Sequence, residues 1–188
     1  MKTKILLFLI CFLFVLCKET AKESGKQESN TEKTVHKGQA AVIDNDSDAN
    51  ALQVAKSLDD FTTLVVAIAA AGVEDALVNT GPLTVFAPVN SAFEKLPEGT
   101  VASLLKPENK SQLAFILKNH VAPANYPVKT LEKNIRKNRT LYMASGNYLK
   151  VTKQGSDLYV GGTKILKSVK VSNGWVHVIG DVLVPNNQ

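Results

Sequence analysis

Both cysteines of this 188-residue chain, Cys11 and Cys17, fall within its first seventeen residues, so everything beyond them must fold without a disulfide or any thiol chemistry. Those residues read as a leader: Lys2 and Lys4 precede an unbroken apolar run from Ile5 to Leu16. A charged start, a short apolar middle and a polar sequel are the layout of an export signal. The run is shorter than the about 20 apolar residues a bilayer-spanning helix needs. An exported, crosslink-free domain rests on its apolar core alone, unlike the disulfide-stapled modules common outside the cell. Length permits this, because a domain of roughly 140–150 residues removes about two thirds of its unfolded surface from water. One domain is expected over residues 50–188, behind a signal over residues 1–17.

The leader closes on Cys17, followed by Lys18, Glu19 and Thr20. This junction resembles the lipobox of bacterial lipoproteins, whose cysteine becomes the lipidated first residue after cleavage. Leu16 departs from the small residue usual before that cysteine, and no Ala-x-Ala cleavage site lies nearby. The resemblance implies a membrane anchor on Cys17, and Lys18 in place of Asp implies sorting to the outer membrane. The alternative makes Cys11 and Cys17 apolar filler of the signal. From residue 18 to 49 the chain is rich in Lys, Glu, Ser, Asn and Asp, with little apolar beyond Val35, Val42 and Ile43. Such a segment cannot bury enough surface to offset its chain entropy, so a disordered tether spanning roughly 30 Å is expected.

The first half of the domain has helical periodicity. Asn50 can cap a helix with Leu52, Ala55 and Leu58 inward. Asp60 is the expected cap of a second, carrying Phe61, Leu64, Val65 and Ile68 on one face until Gly72 stops it. A third opens near Pro107, where a missing N–H costs nothing, and aligns Leu113, Ile116 and Leu117. Beyond Asn119 the pattern changes to short β-rich runs: Thr140–Ala144, Tyr148–Lys153, Asp157–Val160, Lys164–Val171 and Trp175–Val184. Gly161-Gly162 and Asn173-Gly174 read as tight hairpin turns, the latter with positive φ at both residues. A further strand, Leu83–Ala87, lies among the helices. The class is α+β.

Three segments share a family pattern. Thr84-Val85-Phe86-Ala87-Pro88-Val89-Asn90-Ser91-Ala92-Phe93 resembles the first motif of fasciclin-like domains, and Asn173 to Pro185 resembles the second. Between them, Leu117-Lys118-Asn119-His120-Val121 is similar to the family's central Tyr-His segment, with Asn119 in the tyrosine position. The resemblance covers about residues 50 to 186 and implies N-terminal helices packed on an antiparallel β-sandwich or wedge. It also implies a role in adhesion without catalysis. On physical grounds Phe86 and Phe93 are core residues, Pro88 ends a strand, and Asn90 can accept an N–H at the start of a Ser91–Leu96 helix. With His120, His177 and Pro185, these read chiefly as scaffold. His120 continues the Leu113, Ile116, Leu117 stripe, which leaves a buried, satisfied histidine beside a functional one.

No catalytic constellation stands out. His36 lies in the tether, His120 and His177 lie in different elements without metal-ligand neighbours, and no Gly-x-Ser-x-Gly elbow occurs. No metal or cofactor is expected. Lys129, Lys133, Arg136, Lys137 and Arg139 form a basic run interrupted only by the acid Glu132. Such a run attracts anionic glycans, lipopolysaccharide head groups or the membrane itself through salt-sensitive fields, or is simply a solvated loop. Trp175, the only tryptophan, is either an exposed binding residue or a cap on the core. The leading expectation is an exported, non-enzymatic module that binds a protein or glycan at the surface or in the matrix. It would be lipid-anchored in the cell envelope, monomeric, and without nucleic acid as partner. The alternative is a periplasmic small-ligand carrier or hydrolase with a polar-lined pocket.

Overall fold

The computed structural model describes residues 49–78 and 81–185. The leader with Cys17, and the expected tether up to residue 48, lie outside the described residues. Helix α1 (Ala51–Lys56) opens with a reciprocal cap: the Asn50 side chain accepts the Gln53 N–H at 2.9 Å, and the Gln53 side chain accepts the Asn50 N–H at 2.8 Å. It buries Ala51, Leu52 and Ala55. Leu58, expected inward, is 48% exposed, because the helix ends at Lys56 and Leu58 adopts extended backbone that turns it outward.

Helix α2 (Thr62–Ala71) follows a 3-10 turn, Asp59–Phe61, so Asp60 sits inside that turn and cannot cap it. The cap arrives from elsewhere in the chain. Asn90 accepts the Thr63 N–H through Oδ1 at 3.0 Å, and its Nδ2 donates to the Asp59 carbonyl at 2.8 Å and to Thr62 Oγ1 at 3.0 Å. Asn90 therefore does not cap its own helix. It lies in the first turn of α4, which follows below, and secures the start of α2 instead. Gly72 ends α2 in the left-handed region, φ 65°, where a glycine avoids the Cβ penalty.

Short helices α3 (Glu74–Val78), α4 (Asn90–Glu94) and α5 (Thr100–Leu104) follow, and then α6 (Lys110–Lys118), introduced by the 3-10 turn Pro107–Asn109. Helix α6 buries Leu113, Ile116 and Leu117. Helix α7 (Val128–Arg136) completes the set. Among the described residues no helix is long and apolar enough to cross a membrane.

The strands are β1 (Leu83–Pro88), β2 (Val121–Ala122), β3 (Thr140–Tyr142), β4 (Tyr148–Gln154), β5 (Asp157–Val160), β6 (Thr163–Val171) and β7 (Gly174–Ile179). They form one sheet in the order β2-β1-β7-β6-β5-β4-β3. Strands β1 and β7 run parallel, from Leu83 opposite Gly174 to Pro88 opposite Ile179, while the other pairs are antiparallel. The sheet is mixed, in place of the antiparallel sandwich or wedge expected. Its edges approach each other, since the Ala144 N–H beyond β3 donates to the Val121 carbonyl of β2 at 2.7 Å. The sheet thus nearly closes on itself.

Every residue of β1 is buried, and its alternation serves two cores. Leu83, Val85 and Ala87 pack with Leu52, Leu64, Ile68 and Leu117 under the helices, whereas Phe86 packs with Leu131, Leu141, Met143, Val160 and Ile179 inside the curled sheet. At the start of β7, Gly174 has φ 147°, and a Cβ there would collide with the Leu83 backbone carbonyl. Only Gly174 of the Asn173-Gly174 pair takes positive φ. Asn173 instead bridges helices: its Oδ1 accepts the Ala51 N–H at 3.1 Å and its Nδ2 donates to the Leu77 carbonyl at 2.7 Å.

Strand β7 stops at Ile179, short of the expected Val184. After Gly180 and Asp181 the chain leaves the sheet, and Leu183 is fastened by side chains of residues 119 and 120. In β6 an irregularity between Ile165 and Lys167 turns Leu166 outward, 53% exposed.

Candidate functional site

The basic run lies on helix α7 and just beyond it. Leu131 and Asn134 face inward, and Lys129, Lys133 and Arg136, spaced i, i+4 and i+7, share the opposite, exposed face. Lys133 and Arg136 in the last turn complement the negative end of the helix dipole. The helix ends as the Arg139 N–H donates to the Asn134 carbonyl at 2.9 Å around Asn138, which has φ 49°, a left-handed conformation asparagine tolerates. Lys137 and Arg139 are exposed in this turn. Glu132 is drawn off by Lys153 at 3.0 Å, whose hydrogen bond and charge hold the carboxyl below its ordinary range, with Arg136 adding to the effect.

Charge is partitioned along the domain. From Asn50 to Asn125 there are five Lys and Arg against seven Asp and Glu, net −2; from Tyr126 onward there are ten against three, net +7. All three of those later acids are engaged: Glu132 with Lys153, Asp157 with Lys164 at 2.6 Å, and Asp181 with Lys95 at 2.7 Å. The cations of the α7 face have no such partner among the described residues.

The two histidines of the domain, His120 and His177, are structural in geometry. His120 is 3% exposed; Nδ1 donates to the Ile116 carbonyl at 2.9 Å and Nε2 accepts the Leu183 N–H at 2.9 Å. Burial pushes its pKa down to about 4, partly opposed by the Ile116 carbonyl. Asn119, 1% exposed, donates to the Leu183 carbonyl at 2.9 Å and accepts from Ser145 Oγ at 2.9 Å and Asn147 Nδ2 at 3.1 Å. Both side chains are buried and spend these groups on the domain's own backbone and side chains.

His177 is fully buried: Nε2 donates to the Tyr126 carbonyl at 2.8 Å and Nδ1 accepts from Ser168 Oγ at 2.7 Å. Burial lowers its pKa, and the Tyr126 carbonyl opposes that fall. The Ser168–His177 contact has the distance of a nucleophile and base, but a backbone carbonyl occupies the place where a carboxylate would stabilise an imidazolium. Phe86 stacks on one side of the ring, centroids 5.4 Å apart. Half-buried Trp175 stacks on it at 6.2 Å and 14°, so the indole belongs to an aromatic column. Among the described residues no group of three His, Cys, Asp or Glu is placed to hold a metal.

Phe86 and Pro88 are buried in β1, Phe93 packs partly buried against the helical core, and Pro185 is partly buried at the end of the described chain. Sequence reasoning missed two features. Tyr142 and Tyr148, paired across β3 and β4, are 47% and 67% exposed with rings 5.4 Å apart. The cross-strand alternation marked them as sharing a face, but not which face. The second is a cavity of about 400 Å³ between α2, α3, α6 and β1, lined almost wholly by apolar side chains. It is assembled from segments distant in the chain and leaves no local pattern.

The family model for the fasciclin domain matches residues 59–185. Protein sll1483 of Synechocystis sp. is 40% identical over 155 residues, which are 82% of each chain. The transforming growth factor-beta-induced protein ig-h3 of Sus scrofa is 32% identical over 140 residues, 73% of this chain but only 20% of that protein. Among solved structures, a FAS1 domain pair from the insect cell adhesion molecule Fasciclin I aligns with a TM-score of 0.51 at 22% identity. That alignment covers 65% of this chain and 44% of the pair, and bears on the fold alone.

Proposed function

The chain belongs to the fasciclin domain family, and from that premise we propose that it is an exported, non-enzymatic adhesion module that meets an anionic protein, glycan or matrix component through the exposed face of α7. The observation that carries this reading is the charge partition: net +7 beyond Tyr126, with its three acids already paired and five cations left together on and just after α7. A field of that kind speeds encounter with polyanions and weakens once salt shortens its reach to about 8 Å at physiological ionic strength. A binding role over catalysis is supported by His120 and His177, each with both ring nitrogens engaged by the fold.

In this reading residues 1–17 direct export, Cys17 carries a lipid in the outer membrane, and residues 18–49 hold a monomeric domain clear of the surface. Mass spectrometry of the mature N-terminus tests the anchor: an unmodified terminus beyond residue 17 refutes it. The binding surface is tested on heparin columns and on envelope and matrix extracts at two salt concentrations. Lys133→Glu with Arg136→Glu is expected to abolish low-salt retention while lowering the melting temperature by only a few degrees, the cost of reversing charge at the end of the helix. Retention unaffected by this double substitution removes α7 from the reading.

A further inference from the structure

The cavity beneath the helices is distinct from the α7 face. Ile68, Leu77, Leu83, Val85 and Val121 are among its walls, and its volume, about 400 Å³, lies within the ≈ 300–1,000 Å³ of small-molecule sites. The cavity is open to solvent along the exposed residues Gly81, Pro82, Pro123 and Ala144, and water against its apolar walls is poorly bonded and cheaply displaced by an apolar group. Among the described residues its lining offers an occupant mainly apolar surface. The His120 side chain reaches the wall, but Nδ1 is committed to Ile116 and Nε2 to Leu183, and the β1 backbone is paired along its length with β7 and at Thr84 and Val85 with β2. Among the described residues the cavity has one charged lining residue, Lys118, exposed at the last turn of α6. Among the described residues no carboxylate pairs with it.

From an open apolar cleft with Lys118 as the one cation lining it among the described residues, we propose that the domain binds a long-chain carboxylic acid, with its hydrocarbon tail in the cleft and its carboxylate on Lys118. The tail gains from leaving water in proportion to its length. The carboxylate remains partly solvated beside Lys118, so charge selects the head group modestly and the tail supplies most of the affinity. This role is separate from adhesion through α7, and each can fail without the other.

The test uses the full chain, with 11-(dansylamino)undecanoic acid as fluorescent reporter and hexadecanoic acid or hexadecan-1-ol as competitor below their aggregation limits. Hexadecanoic acid is expected to displace the reporter saturably. Val121→Phe, which fills the chamber, is expected to weaken it at least tenfold; Ala144→Trp, an exposed lining position less able to disturb folding, repeats the test at the rim. Lys118→Gln is expected to weaken the acid by about three- to fivefold and leave the alcohol unchanged. No saturable displacement, or displacement indifferent to both filling substitutions, overturns the proposal. Equal affinity for acid and alcohol with no effect of Lys118→Gln overturns the assignment of a carboxylic acid. Heparin retention should be unaltered by Val121→Phe, which separates this outcome from failure of the α7 reading.

Discussion

Lowering the pH should unfasten the domain at His120. The folded structure holds this imidazole neutral, with a pKa pushed from 6.5 to about 4 by burial, whereas the unfolded chain takes up its proton below about 6.5. The neutral ring therefore contributes its full stability above pH 6.5, and that stability is lost as the pH falls toward 4. At about 1.4 kcal/mol per pH unit the whole interval is worth about 3 kcal/mol, of which about 2 kcal/mol is gone by pH 5. Protonation puts a hydrogen on Nε2, facing the Leu183 N–H that it accepts in the neutral form, so the C-terminal segment loses its hold on α6. Urea unfolding between pH 7.5 and 5 measures the loss. His177, shifted in the same direction, adds to the decline, so the diagnostic comparison is with His120→Gln, whose amide can still donate and accept. That variant should show a shallower dependence on pH. An unchanged decline in His120→Gln, or an NMR titration of His120 centred near 6.5, would refute the reasoning.

Asn90→Ala removes three hydrogen bonds at the start of α2, and should cost about 2 kcal/mol and lower the melting temperature by about 4–8 °C. Thermal unfolding followed by circular dichroism reads both. Gly174→Ala drives a methyl into the Leu83 carbonyl, which the parallel register cannot move, and should destabilise by at least about 3 kcal/mol or abolish soluble expression. Asp181→Asn breaks the Lys95 contact, but both side chains are more than half exposed, so its effect on urea stability should stay below about 1 kcal/mol.

The elements most legible in sequence were those whose signal is local. Gly72 stops α2 because only backbone geometry is at issue, and the strands from β3 to β6 follow alternation bounded by turn residues. Helices α3 and α5 are a little over one turn each, too short for apolar periodicity to register. Helix α7 was hidden by its cations, since the basic face that drew attention as a run also masked the inward Leu131 and Asn134. Asn90 and Asn173 show a different limit. Each has a local role that propensity supports, and each is reassigned by a neighbour from a distant part of the chain. The apolar residues at 182–184 carry a strand signature, yet the bend at Gly180 and Asp181 directs them to the clasp on Asn119 and His120. Of the candidate site, the basic residues were named in advance, while their shared face and the chamber behind Val121 depend on tertiary packing.

The parallel pairing of β1 with β7 has a consequence for biosynthesis. The strand at the heart of both cores acquires its long parallel neighbour only when residue 179 has been made, so a nascent chain leaving the ribosome has no way to complete its sheet early. Pairings this remote in sequence form slowly. This order of strands delays closure of the sheet until residue 179 has been added.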